Sequence, residues 1–272
     1  MKKNIKLSFI MAFLITITAV IHQRKTGPTY PKKIDVEIEN KIYNLKFIRS
    51  FGGDGDAEIN LEIPNKNVIG NIFYKKYPSN KDENFKKVVF LREKKFLKAK
   101  LPHQKPAGKL IYFVVLNSEN KEFTLLKEEP TIIRFKSEVP NLILIPHILF
   151  MFLAMFLSNL SGMLAFFKND DFKKYSILTV VFLFLGGMIL GPLVQKYAFD
   201  EFWTGIPFGW DLTDNKTLLS FTFWLIALIF NFKRKKRFIV IIASVVLLLV
   251  YSIPHSLYGS ELNHKTGKII QG

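Results

Sequence analysis

Five uncharged apolar stretches, residues 7–21, 141–167, 175–195, 217–232 and 238–256, dominate this chain of 272 residues. Crossing a bilayer as a helix takes about 20 apolar residues, because lipid offers no partner to an open backbone N–H or C=O. A chain with five such runs is constrained to fold around a membrane rather than around one soluble core. Composition points the same way: 49% of residues are hydrophobic, 27 are Phe, and the mean hydropathy is +0.18. An ordinary soluble domain is less apolar than this.

The net charge of +17 raises nucleic acid as a partner, so its placement matters. "KRKKR" (233–237) lies between two apolar runs, and Lys2, Lys3 and Lys6 precede another. These groups read as topology signals, and no nucleic-acid motif accompanies them. With the N-terminus in the cytoplasm, segments 168–174 and 233–237 lie inside, and 22–140, 196–216 and 257–272 lie outside. The short inner segments then carry eleven Lys/Arg, against four in the short outer loop and tail. That asymmetry satisfies the positive-inside rule. The first apolar run lacks a small-x-small cleavage site in "TAVIHQ", which favours an uncleaved signal anchor over a signal peptide.

Residues 30–138 carry a different periodicity. "IDVEIE", "IYNLKFI", "AEINLEI", "VIGNIFYKK", "KKVVFLR", "KFLKAKL", "KLIYFVVL", "EFTLLK" and "TIIRFK" alternate or run apolar over strand lengths. Gly, Pro, Asn and Asp clusters separate them. The expected fold is a membrane α-helical bundle plus an all-β ectodomain: signal anchor and linker over 1–29, antiparallel β-sandwich over 30–140, four transmembrane helices over 141–256, and an extracytoplasmic tail over 257–272. Lys and Arg outnumber Asp and Glu in the β region, so it suits anionic headgroups or an acidic partner. "GGDGDAE" starts like a calcium loop, but Ile59 and Asn65 stand where the later Gly and the bidentate acid belong. It reads as a glycine-rich turn. His103, in "LPHQKPAGKLIYF", reads as a solvated loop histidine.

Zero cysteines exclude disulfides, thiolate metal sites and iron–sulfur clusters. Nucleophile elbow, P-loop, dinucleotide fingerprint and HExxH are all absent, so no catalytic residue is assigned. The remaining candidates fall at one membrane face. "IPH" occurs as 145–147 and again as 253–255, and the antiparallel spans put His147 and His255 near the outer boundary. Two imidazoles across a bundle could ligate haem b or copper. The plainer reading has Pro146 in the first turn of its helix, Pro254 ending another, and both histidines as interfacial residues.

The outer loop "FWTGIPFGWDLTDNKT" (202–217) brings Trp203 and Trp210 together with Asp211, Asp214 and Asn215. The tryptophans fit an aromatic belt; Asp211 or Thr213 fits a helix N-cap, with Asp214 in the first turn. The dense order "PFGWDLTDNK" exceeds what a cap requires. Ser158 and Gly162, and Gly187 and Gly191, have the small-xxx-small spacing that lets membrane helices touch.

"TGPTYP", "AKLPHQKPAGKL", "GGMILGPLVQKYAFDEFWTGIPFGWDLTDNKTLL" and "IPHSLYGSEL" resemble an uncharacterised family of bacterial integral inner-membrane proteins. The resemblance implies the same architecture and envelope location, and it transfers no activity. The leading functional expectation is a non-enzymatic accessory or assembly protein of the bacterial cell envelope. Its basic β-sandwich, residues 30–138, would dock a protein partner at the outer face of the inner membrane, with lipid around the helices and no nucleic acid. The alternative is a small redox or metal/haem-binding protein using His147 and His255.

Overall fold

The computed structural model describes residues 2–79, 83–119, 121–254, 261–263, 266–267 and 269–270. His255 and His264 therefore lie outside the described residues. The chain mixes helices and sheets and divides into two compact units. One holds the N-terminal helix and the region from Val139 onward; the other holds Thr29–Glu138 with the described tail residues from 261 to 270.

The β unit contains β1 (Lys32–Ile38), β2 (Lys41–Phe47), β3 (Ser50–Gly52), β4 (Ala57–Glu62), β5 (Ile69–Tyr77), β6 (Lys86–Val89), β7 (Leu91–Glu93), β8 (Phe96–Leu101), β9 (Lys109–Ser118), β10 (Lys121–Leu125) and β11 (Thr131–Lys136). They form a six-stranded sheet ordered β3-β11-β9-β5-β6, with β10 also on β9, a three-stranded sheet β4-β8-β7, and the hairpin β1-β2. All pairings are antiparallel except β11 with β3. "KKVVFLR", read as one strand, is two: its chain passes from the six-stranded to the three-stranded sheet at buried Phe90. One hydrophobic core joins the sheets, with Ile38, Phe47, Leu61, Leu97, Tyr112 and Phe135 fully enclosed. Side-chain alternation produces this directly, since residues two apart share a face.

Two details of the unit differ from a simple strand-and-turn reading. His103 is not merely solvated: its backbone N–H donates to Asp56 Oδ1 at 2.9 Å, and its ring nitrogen Nδ1 lies 3.1 Å from Gly55 O. The "GGDGD" turn is thus tied to the β8–β9 loop. The tail supplies β12 (Glu261–Leu262) and β13 (Ile269–Ile270), and Glu261 pairs with Lys109 of β9 while the Leu262 N–H donates to Ala107 O. Burial pulls the Lys109 ammonium below its ordinary range, and Glu261 opposes that shift.

In the helical unit the elements are α1 (Lys2–Thr26), α2 (Asn141–Phe166), α3 (Phe172–Leu183), a π-helical turn over Phe184–Leu190, α4 (Gly191–Phe199), α5 (Leu212–Asn231) and α6 (Arg237–Ser252). Among the described residues three helices are long and apolar enough to cross a membrane: Ile5–Thr26, Asn141–Phe166 and the continuous Phe172–Phe199. α6 is apolar but has 16 residues, about 24 Å at 1.5 Å per residue. α5 begins with Asp214 and Lys216, so its apolar part is shorter than its 20 residues. Pro146 sits inside α2, in the second turn rather than the first, because the helix already starts at Asn141 behind Pro140. Its missing N–H removes the bond that would reach Leu142 O, at an exposed helix end.

Polar and small residues hold the helices together, as expected where the surrounding medium is as apolar as the side chains. Asn159 Nδ2 donates to Thr16 Oγ1 at 3.0 Å, joining α2 to α1. Ser244 Oγ of α6 donates to Ser158 O at 2.9 Å, and a Cβ on Gly162 would lie 2.6 Å from Ser244 Cβ. Ser158 and Gly162 thus form the α2–α6 contact. On the third span the tight pair is Gly186 and Gly187. A Cβ on Gly186 would lie 3.2 Å from Met151 N, and one on Gly187 2.7 Å from Thr217 Cγ2. Gly191, singled out by its spacing, has only ordinary contacts.

Candidate functional site

The loop between α4 and α5 is organised by acceptors at the start of α5. Asp211 is the N-cap, its Oδ1 accepting from Thr213 N at 2.8 Å and Asp214 N at 3.4 Å. Asp214 turns the opposite way. Its Oδ2 accepts from Thr204 N at 2.6 Å, Gly205 N at 3.1 Å and Thr204 Oγ1 at 3.2 Å. Asn215 Oδ1 accepts from Ile206 N at 2.8 Å, and Thr204 O accepts from Asp211 N at 3.1 Å. Gln195 of α4 reaches Thr204 Oγ1 at 2.7 Å.

This accounts for the order of residues that a simple cap leaves unexplained. Consecutive N–H groups of 204, 205 and 206 all need acceptors, and Asp214 with Asn215 supplies them from one helical turn. A Cβ at Gly205 would lie 2.6 Å from Asp214 Cβ and 3.2 Å from Asn215 N, so only glycine allows this approach. Ile206–Pro207 is cis. Lys216, whose part the sequence did not reveal, is only 6% exposed and extends Nζ to Ile253 O at 2.7 Å and Pro254 O at 3.3 Å. A cation placed there satisfies carbonyls at the C-terminal end of α6 and suits its dipole. The signal was present as a lysine directly before an apolar run, but its partner lies 37 residues away.

Asp211 and Asp214 are both buried, whereas the loop's aromatic side chains point out. Trp210 is 78% and Phe208 80% exposed, and Phe202 and Ile206 are also exposed. Trp203 is half-buried, its Nε1 donating to Ile206 O at 3.0 Å. One oxygen of the Asp214 carboxylate, Oδ2, takes up backbone donors, and the loop presents an exposed aromatic surface. An amphipathic aromatic surface is suited to the interface between lipid headgroups and acyl chains.

His147 does not reach this network. Its Nδ1 lies 2.8 Å from Gly186 O, and a carbonyl can only accept, so Nδ1 carries the proton. Gly186 O also accepts from Gly191 N, five residues on, within the π-helical turn. Pro192 follows immediately and has no N–H to continue α-helical bonding. The hydrogen bond leaves His147 Nε2 as its available lone pair, the arrangement found in metal-binding histidines. Among the described residues no group of three or more His, Cys, Asp or Glu side chains could hold a metal ion. The proposed partner, His255, is outside the described residues.

At the other end of the helices, Asp170 between α2 and α3 pairs with Lys235 and, at 2.7 Å, with Arg237. These bonds hold its carboxyl below the usual carboxylate range. The two short segments rich in lysine are thereby brought to one end of the unit, while the 200–211 loop and the α6 C-terminus share the other. No protein-family model, curated protein or solved structure matches this chain.

Proposed function

We propose that this chain is an accessory or assembly protein of the bacterial cell envelope, related to the inner-membrane family it resembles. Its β unit is read as an antiparallel β-sandwich outside the cytoplasm that docks a protein partner. α1 serves as an uncleaved signal anchor, and the helices from α2 to α6 form four further spans with the 168–174 and 233–237 segments inside. The observation that carries this reading is a β unit with its own closed core and with lysines such as Lys86 and Lys87 that form no ion pair among the described residues, on a chain whose described residues include three membrane-capable helices. The convergence of both basic segments on Asp170 supports the topology. The test is in-cell photo-crosslinking from positions spread over the surface of the β unit, with protease accessibility to report its side. A discrete adduct on a protected-from-cytoplasm β unit is expected; no adduct from any position would sink the docking role.

A second reading rests on His147, whose protonated Nδ1 leaves Nε2 for a metal. Haem b or copper bound there with His255 would give an optical band or a stoichiometric metal in the purified protein. Loss of that signal in His147→Ala would support the site, and a colourless, metal-free wild type would remove it.

A further inference from the structure

The two outer sheet faces of the β unit are chemically unlike. On the three-stranded sheet Lys95 and Lys98 are matched: Lys95 pairs with Glu62 at 2.7 Å, and Lys98 lies 2.8 Å from Glu93 and 3.5 Å from Glu58. On the six-stranded sheet, Phe73 and Phe113 stack at 5.0 Å across β5 and β9, with Phe85 edge-on to Phe113 at 5.0 Å. Lys75 Nζ sits 4.9 Å above the Phe85 ring. Lys87 extends the positive charge on this face and Lys76 and Lys86 carry it on the opposite face of the same two strands; among the described residues none of these four lysines is paired with a carboxylate. Ile69 and Val89 beside them are 63% and 58% exposed.

This face ends at an open strand. β6 pairs with β5 on one side, and among the described residues no strand pairs with its other side. Register places Lys87 opposite Phe73 and Val89 opposite Asn71, so both share the aromatic face. The other open strands of this sheet are poorer templates. β3 has three residues, and β10 carries Lys121 beside Glu122. An edge strand exposes backbone donors and acceptors that an extended peptide can satisfy, while its alternate side chains settle on the adjoining face. A lipid surface offers no such backbone groups.

We propose that β6 and the Phe73–Phe85–Phe113 face take up an extended acidic polypeptide segment as an added strand. Apolar side chains at alternate positions lie on Phe85 and Val89, and the acidic ones between them, on the opposite face of the added strand, meet Lys86. This deepens the docking role proposed above and rests on it.

The test uses the full-length protein in neutral detergent and a fluorescent ten-residue peptide alternating Glu and Val. Two further versions carry N-methyl groups on the odd or on the even amides. Saturable binding is expected, weakened at least tenfold in Lys86→Glu/Lys87→Glu, with circular dichroism confirming the fold. Only one of the two N-methylated peptides should retain binding, because a strand bonds its neighbour through alternate residues. Absence of binding, binding unchanged by the charge reversal, or equal behaviour of the two N-methylated peptides would each overturn the proposal. Absence of binding would also mean that the lysines only guard the edge against aggregation. Discrete crosslinks elsewhere on the β unit together with a negative peptide result would overturn the edge site and leave the docking role standing.

Discussion

The two ends of the helical unit are both tied by carboxylates, in opposite ways. At one end Asp170 reaches Lys235 and Arg237 across exposed loops. At the other, buried Asp214 takes three hydrogen bonds from residues 204 and 205. Exposed pairs are screened by salt and cost side-chain entropy, so they register charge without fixing shape. A buried carboxylate held by backbone donors fixes shape, since each donor left unsatisfied is expensive. The first carboxylate registers charge between exposed side chains; the second holds a loop that presents four exposed aromatic and aliphatic side chains.

Substitutions should separate these two behaviours. Asp214→Ala strands two N–H groups and should cost about 3 kcal/mol, read as a lower melting temperature in detergent with increased proteolysis between 200 and 211. Asp214→Asn, which keeps one acceptor, should lose less; equal losses would mean that the carboxylate's charge and not its acceptor geometry holds the loop. Gly205→Ala comes next, because the new Cβ meets Asp214 Cβ and the Asn215 backbone, with an overpacking cost of about 2 kcal/mol. Lys216→Met abandons the Ile253 and Pro254 carbonyls and should cost between about 1 and 2 kcal/mol, loosening the end of α6 in hydrogen exchange without disturbing residues 204–206.

Asp170→Asn should have the smallest effect, detectable only at low salt. Its pH behaviour follows from a carboxyl held below its ordinary range: the contribution is complete above the unfolded-state value and disappears as pH falls through the lower folded-state value. A melting temperature that drops sharply for Asp170→Asn at neutral pH and high salt would erase the distinction between the two ends.

Local periodicity made much of the architecture legible. Strand phrases such as "AEINLEI" and "TIIRFK" became β4 and β11, since alternation is a property of neighbours in the chain. Sheet order was not legible, because β3 joins β11 across more than 80 residues in parallel, and nothing local in "SFG" announces it. In the loop, Asp211 could be read as a cap from its position before an apolar run. The role of Asp214 depended on where 204–206 would return, and that of Lys216 on where α6 would end. Gly187 was found by spacing, but its working partner is Gly186, because the π-helical turn alters which side chains face α2 and α5.

That turn has a further consequence for how the chain tolerates change in length. Seven residues from Phe184 to Leu190 advance with one residue more than an α-helix would use for the same bonds. The segment is therefore a stored insertion, and deleting one residue from it would let α-helical bonding run through to Pro192. The span would survive, and everything beyond would keep close to its present orientation relative to α3, because the π-helical turn alone takes up the extra residue. Gln195 would go on holding the Thr204 hydroxyl. A single-residue deletion between Pro192 and Gln195, beyond that turn, would instead rotate Gln195 by about 100° and remove the support of a loop some ten positions downstream.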